Sequence, residues 1–336
     1  MKTKHYTIPI FIPELACPFR CIYCDQHKIT GQSDMPSPDE VGDVVDRYLA
    51  SFPGRKKEVE IGFFGGNFTG IDMQLQEEYL KVANAYLSEG RVQGIRLSTR
   101  PDYINGEVMK LLKKYKVRTV ELGAQSMVDE VLHESHRGHS ASDTVRASHM
   151  IRDAHMRLGL QMMIGLPGDS LENDIETARA FVELAADDVR IYPTLVIRGT
   201  ALEKLFREGK FSVMGMEEAV LRTAEVYRIF EEAGINVIRI GLHPSEGLLT
   251  GDELVAGPFH EAFRELVMTE IWAGQLMPLA DGAESDRLEI HTSPAQFNFA
   301  IGYAAKNKKA LLEHFKTVVF IRDESLTGRQ YHAYYR

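Results

Sequence analysis

Three cysteines, all that this 336-residue chain contains, fall within eight positions as Cys17-Pro-Phe-Arg-Cys21-Ile-Tyr-Cys24. No other feature limits the fold so tightly. An odd number of thiols crowded into one short loop is a poor disulfide framework and a good metal-ligand set. Thiolates at this C-x3-C-x2-C spacing can each hold one iron of a cubane, which leaves a fourth iron without a protein ligand. The amine and carboxylate of a substrate can chelate such an open iron. Two other readings of the loop are a Cys3His zinc site completed by His27, or three unrelated buried thiols. Zinc sites usually gather ligands from two distant loops, and here everything sits on one.

Around the loop, apolar runs of strand length alternate with longer helical patterns. The predicted strands are Tyr6–Ile12, Val59–Phe64, Ile95–Thr99, Thr119–Gln125, Leu158–Ile164 and Val189–Thr194. Helical stretches between them include Glu77–Leu87, Gly106–Lys114, Ser142–Leu158 and Leu171–Ala186. Six β–α units in series imply an α/β fold with a parallel sheet, curled into a barrel or an open part-barrel. After Gly209 the rhythm changes. Met216–Ala233 and Phe259–Gly274 read as helices, with irregular chain over Gly241–Gly257. The expected organisation is a core barrel over 1–215, a helical extension over 216–280, and a small basic C-terminal α+β segment over 281–336.

The formal net charge of −9 argues against a uniformly basic nucleic-acid binder. From Ala300 onward, however, seven Lys or Arg face three Asp or Glu, a local positive excess. No apolar run is long enough for a transmembrane helix. Pro9, Pro13 and Glu14 break the first apolar stretch, which suits a strand better than a signal peptide, so a cytoplasmic location without membrane contact is expected. Phosphate-binding, dinucleotide-binding and nucleophile-elbow motifs are absent from the sequence.

The cysteine spacing, with Tyr23 before the last cysteine, resembles the signature of radical S-adenosylmethionine (SAM) enzymes. That family folds as a partial (β/α)6 barrel. The resemblance implies a 4Fe–4S cluster on Cys17, Cys21 and Cys24, and reductive cleavage of SAM to methionine and a 5′-deoxyadenosyl radical. It also implies a reducing partner such as flavodoxin or ferredoxin. Gly65-Gly66-Asn67 follows the second strand and resembles the GGE-type motif that holds the methionyl amine, with Asn67 where an acid often stands. The spacing of Gln125 and Arg137 resembles that of oxygen-independent coproporphyrinogen oxidases, whose matching residues contact SAM. Ser98 and Gln161 occupy positions where that family uses acids. Ile164, in Met163-Ile-Gly-Leu-Pro167, falls on the segment that packs against adenine. His133, His136 and His139 have helical spacing, but no acid or cysteine completes a metal set, and a polar surface or cavity lining is the simpler reading.

Longer stretches resemble the radical SAM core of the Elongator catalytic subunit. They are Leu97-Ser-Thr-Arg-Pro-Asp102, Gly123-Ala-Gln-Ser126, His136-Arg-Gly-His139 and Ile191-Tyr-Pro-Thr-Leu-Val-Ile-Arg-Gly-Thr200, within residues 5–215. The acetyltransferase domain and the extra zinc-binding cysteines of that family are not recognisable. Tyr192, Arg198 and Thr200 are expected to line the cavity. The resemblance implies an RNA (tRNA) substrate. Modification of a small metabolite or tetrapyrrole-like compound is the alternative within enzymes, and a non-catalytic RNA-binding protein with a structural or sensory cluster is the alternative outside them.

Overall fold

The computed structural model describes residues 4–12, 21–25, 35–53, 57–242, 245–281 and 285–336. Seven parallel strands form one sheet in the order β1-β2-β3-β4-β5-β6-β8. They are β1 (Lys4–Ile12), β2 (Lys57–Gly65), β3 (Gly94–Thr99), β4 (Thr119–Gln125), β5 (Arg157–Ile164), β6 (Asp188–Pro193) and β8 (Asn236–Ile240). A two-stranded antiparallel pair joins β7 (Val196–Ile197) to β9 (Leu254–Ala256). β1 and β8 are the edges, so the sheet is an open, curled half-barrel.

The expected open α/β barrel is borne out, with a seventh strand added. β8 lies inside residues 216–280, which read as a helical extension. The physical reason is local: a register shift against β6 interrupts the strict alternation by which a five-residue strand would be recognised.

The returning helices start on residues that can satisfy their first N–H groups. Ser37 and Ser140 form capping boxes with Glu40 and Asp143, while Asp72, Asn105, Ser170 and Thr200 cap the helices that follow them. Pro38 sits at a first-turn position, where its missing N–H costs nothing. Lys116, His155 and Ala185 have positive φ just past helix ends, the left-handed stop more often made by glycine.

Alternation along the strands divides the sheet into two chemically different faces. Ile61, Phe63, Ile95, Leu97, Val120, Leu122, Leu158, Leu160, Met162, Ile164, Val189 and Ile191 are all buried on the outer face. The positions between them are largely polar: Glu60, Arg96, Ser98, Glu121, Gln161, Asp188, Arg190 and Tyr192. Parallel sheets covered by apolar packing on both faces read as continuous apolar runs. The polar inner face marks this one as a chamber wall.

The described chain divides into two compact units, one of residues 1–215 and 228–259 and one of residues 216–227 and 260–336. The second holds a three-stranded sheet in the order β11-β10-β12, with β10 (Arg287–Thr292), β11 (Thr317–Arg322) and β12 (Tyr331–Tyr335). Trp272, Leu276, Leu288, Ile290, Ala300, Leu311 and Phe315 form its core. Among the described residues no helix is long and apolar enough to cross a membrane.

Candidate active site at the carboxyl ends of the strands

β2 ends tightly against β1. Gly65 has φ +105°, and a Cβ there would lie 2.5 Å from the Ile12 carbonyl oxygen. Gly66 N–H donates to that same oxygen at 2.7 Å. Only glycine tolerates this combination of backbone conformation and approach. The clamp fixes the end of β1, and the chain continues from there toward the cysteines. Cys17 lies outside the described residues.

Cys21 is buried and Cys24 half-buried, with Cys24 N–H donating to the Cys21 carbonyl at 3.1 Å. The intervening Ile22 docks the loop: its N–H donates to Ser135 O at 3.3 Å, and its carbonyl accepts from Leu202 N–H at 2.7 Å. Ile22 and Tyr23 pack in an apolar cluster with Val131, Leu166, Val196 and Leu202. Burial, the largest influence, raises the Tyr23 pKa well above its ordinary value, so the phenol is neutral.

Arg137 joins this loop to β4. One terminal nitrogen donates to Cys21 Sγ at 3.2 Å and the other to Gly123 O at 2.5 Å. The Arg137 carbonyl in turn accepts from the Arg100 guanidinium at 2.6 Å, and Arg100 is forked onto Asp102 at 3.0 and 2.9 Å. Gln125, at the end of β4, has φ +66° and follows a register shift between Leu122 and Gln125. A left-handed non-glycine residue costs on the order of 1–3 kcal/mol, and such residues cluster at functional sites. Gly123 makes room for it: a Cβ there would lie 2.8 Å from Gln125 Nε2 and 3.5 Å from the Arg137 guanidinium.

The polar accounting around these residues is incomplete. Tyr23 Oη, Gln125 Oε1, Arg137 Nε and Asn67 Nδ2 are buried without a hydrogen-bond partner. Buried polar groups are satisfied in roughly 90% of cases or more. Three such atoms on residues that touch or adjoin the cysteine loop and β4 fit a site completed by a polar ligand. Asn67 itself is committed elsewhere through its carbonyl, which accepts from Thr99 Oγ1 at 2.5 Å and Arg100 N–H at 3.2 Å. It ties β2 to β3.

Ser98 and Gln161 meet on the inner face, Gln161 Nε2 donating to Ser98 Oγ at 3.3 Å and to Glu121 Oε2 at 3.2 Å. Below them lies a buried ion-paired layer that sequence reasoning had not found. Arg190 is forked onto Glu121 at 2.6 and 3.2 Å. Arg96 approaches Glu121 at 3.3 Å, Asp188 at 3.2 Å and Glu60 at 3.7 Å. Burial favours protonation of Glu121, but Arg190 and Arg96 outweigh it and hold its pKa below the ordinary value. The missed signal was polar residues at every second position: Arg96-x-Ser98, Glu121-x-Gly123-x-Gln125 and Asp188-x-Arg190-x-Tyr192.

Other expected residues fall elsewhere. Ile164 is fully buried on the outer face with Leu160 and Met162, because its place in the strand alternation turns it away from Gln161. Its carbonyl is taken by Thr194. Arg198 is exposed and donates to Asp252 O, and Thr200 caps the helix Ala201–Arg207, so of that trio Tyr192 alone belongs to the inner face. His139 is buried with Nε2 3.2 Å from Ala124 O. Burial first, then the charges of Arg137 and Arg100, lower its pKa to about 3, so it is neutral and donates to that carbonyl. His133 and His136 are exposed. Among the described residues no group of three His, Cys, Asp or Glu side chains converges on one point.

An open parallel half-barrel with cysteines, a strained glutamine and unsatisfied polar atoms at its carboxyl-end rim defines a class: α/β enzymes that hold their ligand where the strands end. The Radical SAM superfamily profile matches residues 12–181, and that of the Radical_SAM C-terminal domain matches residues 186–273. The chain belongs to the radical SAM superfamily, whose members use a 4Fe–4S cluster and SAM. It is similar to the tRNA uridine(34) acetyltransferase of Methanocaldococcus infernus, 28% identical over 183 residues, 48% of this chain and 34% of that protein. The enzyme of the same name from Dehalococcoides mccartyi is 27% identical over 238 residues, 61% of this chain and 52% of that one. Human Elongator complex protein 3 is 33% identical over 136 residues, 40% and 25% of the two chains. The chain thus spans about a third to a half of the curated tRNA uridine(34) acetyltransferases it matches. In three dimensions it resembles the archaeal Elp3 of M. infernus lacking residues 1–46, with a TM-score of 0.65 at 22% identity, covering 82% of this chain and 64% of that one.

Proposed function

We propose that Cys17, Cys21 and Cys24 would hold a 4Fe–4S cluster, and that SAM bound beside it starts radical modification of RNA. The observation that carries the reading is the set of unsatisfied buried atoms, Tyr23 Oη on the cysteine loop, Gln125 Oε1 at the end of β4 and Nε of Arg137, the residue that donates to Cys21. Gly65 and Gly66 bring backbone close to the methionyl end, with Asn67 holding that turn in place. Arg137 supplies a cation for its carboxylate, and Gln125 an amide for ribose hydroxyls. Ser98 and Gln161 line the chamber below. A reduced cluster held by these cysteines would supply the electron for cleavage of SAM to methionine and a 5′-deoxyadenosyl radical.

RNA is favoured as the substrate because similar proteins carry the name tRNA uridine(34) acetyltransferase. Anaerobically reconstituted protein is expected to bind about four irons per chain and to yield 5′-deoxyadenosine from SAM with dithionite. Cys21→Ala is expected to lose both. Stoichiometric zinc with no iron uptake would sink the cluster assignment. Mass spectrometry of tRNA nucleosides from cells with and without the protein tests the substrate, and identical nucleoside profiles would refute RNA.

A further inference from the structure

One arginine of the inner face, Arg239, has no carboxylate partner among the described residues. Arg96, Arg118, Arg157 and Arg190 each contact at least one of Glu58, Glu60, Glu121 and Asp188. Arg239, on β8, contacts none of them. Among the described residues its one hydrogen bond runs from Nε to the Gly241 carbonyl at 3.2 Å, and neither terminal nitrogen has an acceptor there. Its charged or ionisable neighbours are Tyr192 and Arg190, the latter repulsive. Arg239 is half-buried, so its guanidinium is partly withdrawn from water beside a like charge and without a counterion, an arrangement an anionic ligand would improve.

The backbone goes out of its way to place this side chain. Val237 pairs with Val189 and Ile240 with Ile191, all four buried on the outer face. In an uninterrupted strand Arg239, two residues from Val237, would share that face. The register shift at Ile238 instead pairs Arg239 with Arg190 and turns it to the inner face. Bulges that re-aim one side chain are typical beside active sites. Arg190 is already forked onto Glu121 and lies with its guanidinium 5.5 Å from the Phe64 ring centre, so it is fixed in place.

We propose that Arg239, on the same inner face as Tyr192, binds an oxyanion of the substrate, a carboxylate or a phosphate, inside the half-barrel. The proposal rests on reading this interior as the chamber of the radical reaction. The chemistry is that of a planar fork of N–H donors, which matches either oxyanion in a bidentate way, backed by a neutral hydroxyl donor. Arg190 adds positive potential without offering its own fork, because Glu121 holds it.

The test uses anaerobically reconstituted holoenzyme with SAM bound, titrated calorimetrically with uridine 5′-monophosphate, inorganic phosphate and acetate. Wild type is expected to bind at least one of them. R239Q is expected to weaken that binding tenfold or more, equivalent to about 1.4 kcal/mol, while R239K, which keeps the charge but loses the fork, falls between. Binding of the two phosphates without acetate assigns a nucleotide or free phosphate, and binding of acetate assigns a carboxylate. Iron content and circular dichroism of both variants control for folding. Equal affinity in wild type and R239Q, or no binding of any probe to wild type, overturns the proposal. Loss of bound iron in both variants also overturns it, since Arg239 would then be part of the wall. Anion binding in wild-type protein that never yields 5′-deoxyadenosine would count against the radical reading instead.

Discussion

Replacing Glu121 by Gln tests whether the inner face is held together by paired charge. The Glu121 carboxylate is 1% exposed, accepts both arms of the Arg190 fork and one bond from Gln161, and is ion-paired with Arg96 at 3.3 Å. The amide keeps one oxygen acceptor and turns an N–H2 group toward cations. Two buried arginines then share too little negative charge. Removing one partner of a buried pair costs about 3–5 kcal/mol. For a unit of this size, each kcal/mol moves the melting temperature by about 2–4 °C, so the expected fall at neutral pH is about 6–20 °C. Differential scanning calorimetry of wild type and variant measures it. The pH dependence supplies a second check. The folded-state pKa of Glu121 is depressed, so its contribution is complete above the ordinary carboxylate value of 4.5 and is lost as pH falls through the lower folded value. The gap between wild type and variant should therefore narrow below that pH. A variant as stable as wild type at pH 7 would show that the layer is solvated and that its charges do not depend on one another.

Two further outcomes follow from the geometry. Gly65→Ala places a Cβ 2.5 Å from a carbonyl oxygen at φ +105°, and should destabilise the protein in urea by at least about 1–3 kcal/mol and weaken SAM binding; unchanged values of both would show that the end of β1 is not clamped there. In the second unit, Lys306 and Lys316 are engaged by Glu270 and Asp286 at 3.7 and 2.7 Å, whereas Lys308 and Lys309 have no carboxylate partner among the described residues. If those two touch phosphates of single-stranded RNA, log affinity should fall with log salt at a slope of about −1.4, and K308Q with K309Q should flatten it; a flat response in wild type would remove these lysines from RNA binding.

Much of the half-barrel was legible because its outer face obeys simple alternation, as in Ile61-x-Phe63, Ile95-x-Leu97 and Val120-x-Leu122. The cysteine loop was legible as chemistry, since few other structures call for that spacing. β8 was not, because the shift at Ile238 that aims Arg239 inward also destroys the period on which a short strand is recognised. β12 was hidden for another reason: Tyr-His-Ala-Tyr-Tyr alternates, but its residues are aromatic and half-exposed rather than aliphatic. Ile164 was placed on the ligand side by analogy of segment, and strand parity puts it on the other. The ion-paired layer was legible only as a polar face: alternation in β3, β4 and β6 marks that face, but Arg96, Glu121 and Asp188 are separated by whole β–α units, so their pairing needed three dimensions.

That layer also gives the enzyme a floor. Arg96, Glu60, Glu121 and Asp188 are each less than 8% exposed, so the amino ends of the strands are closed to anything the size of a metabolite. A small ligand then reaches the inner face from the carboxyl-end rim or past the open edges at β1 and β8. If the proposed large substrate covers those approaches, the small molecules beneath it must bind before it and leave after it, and steady-state kinetics should show compulsory-order addition, with the rim-bound substrate second.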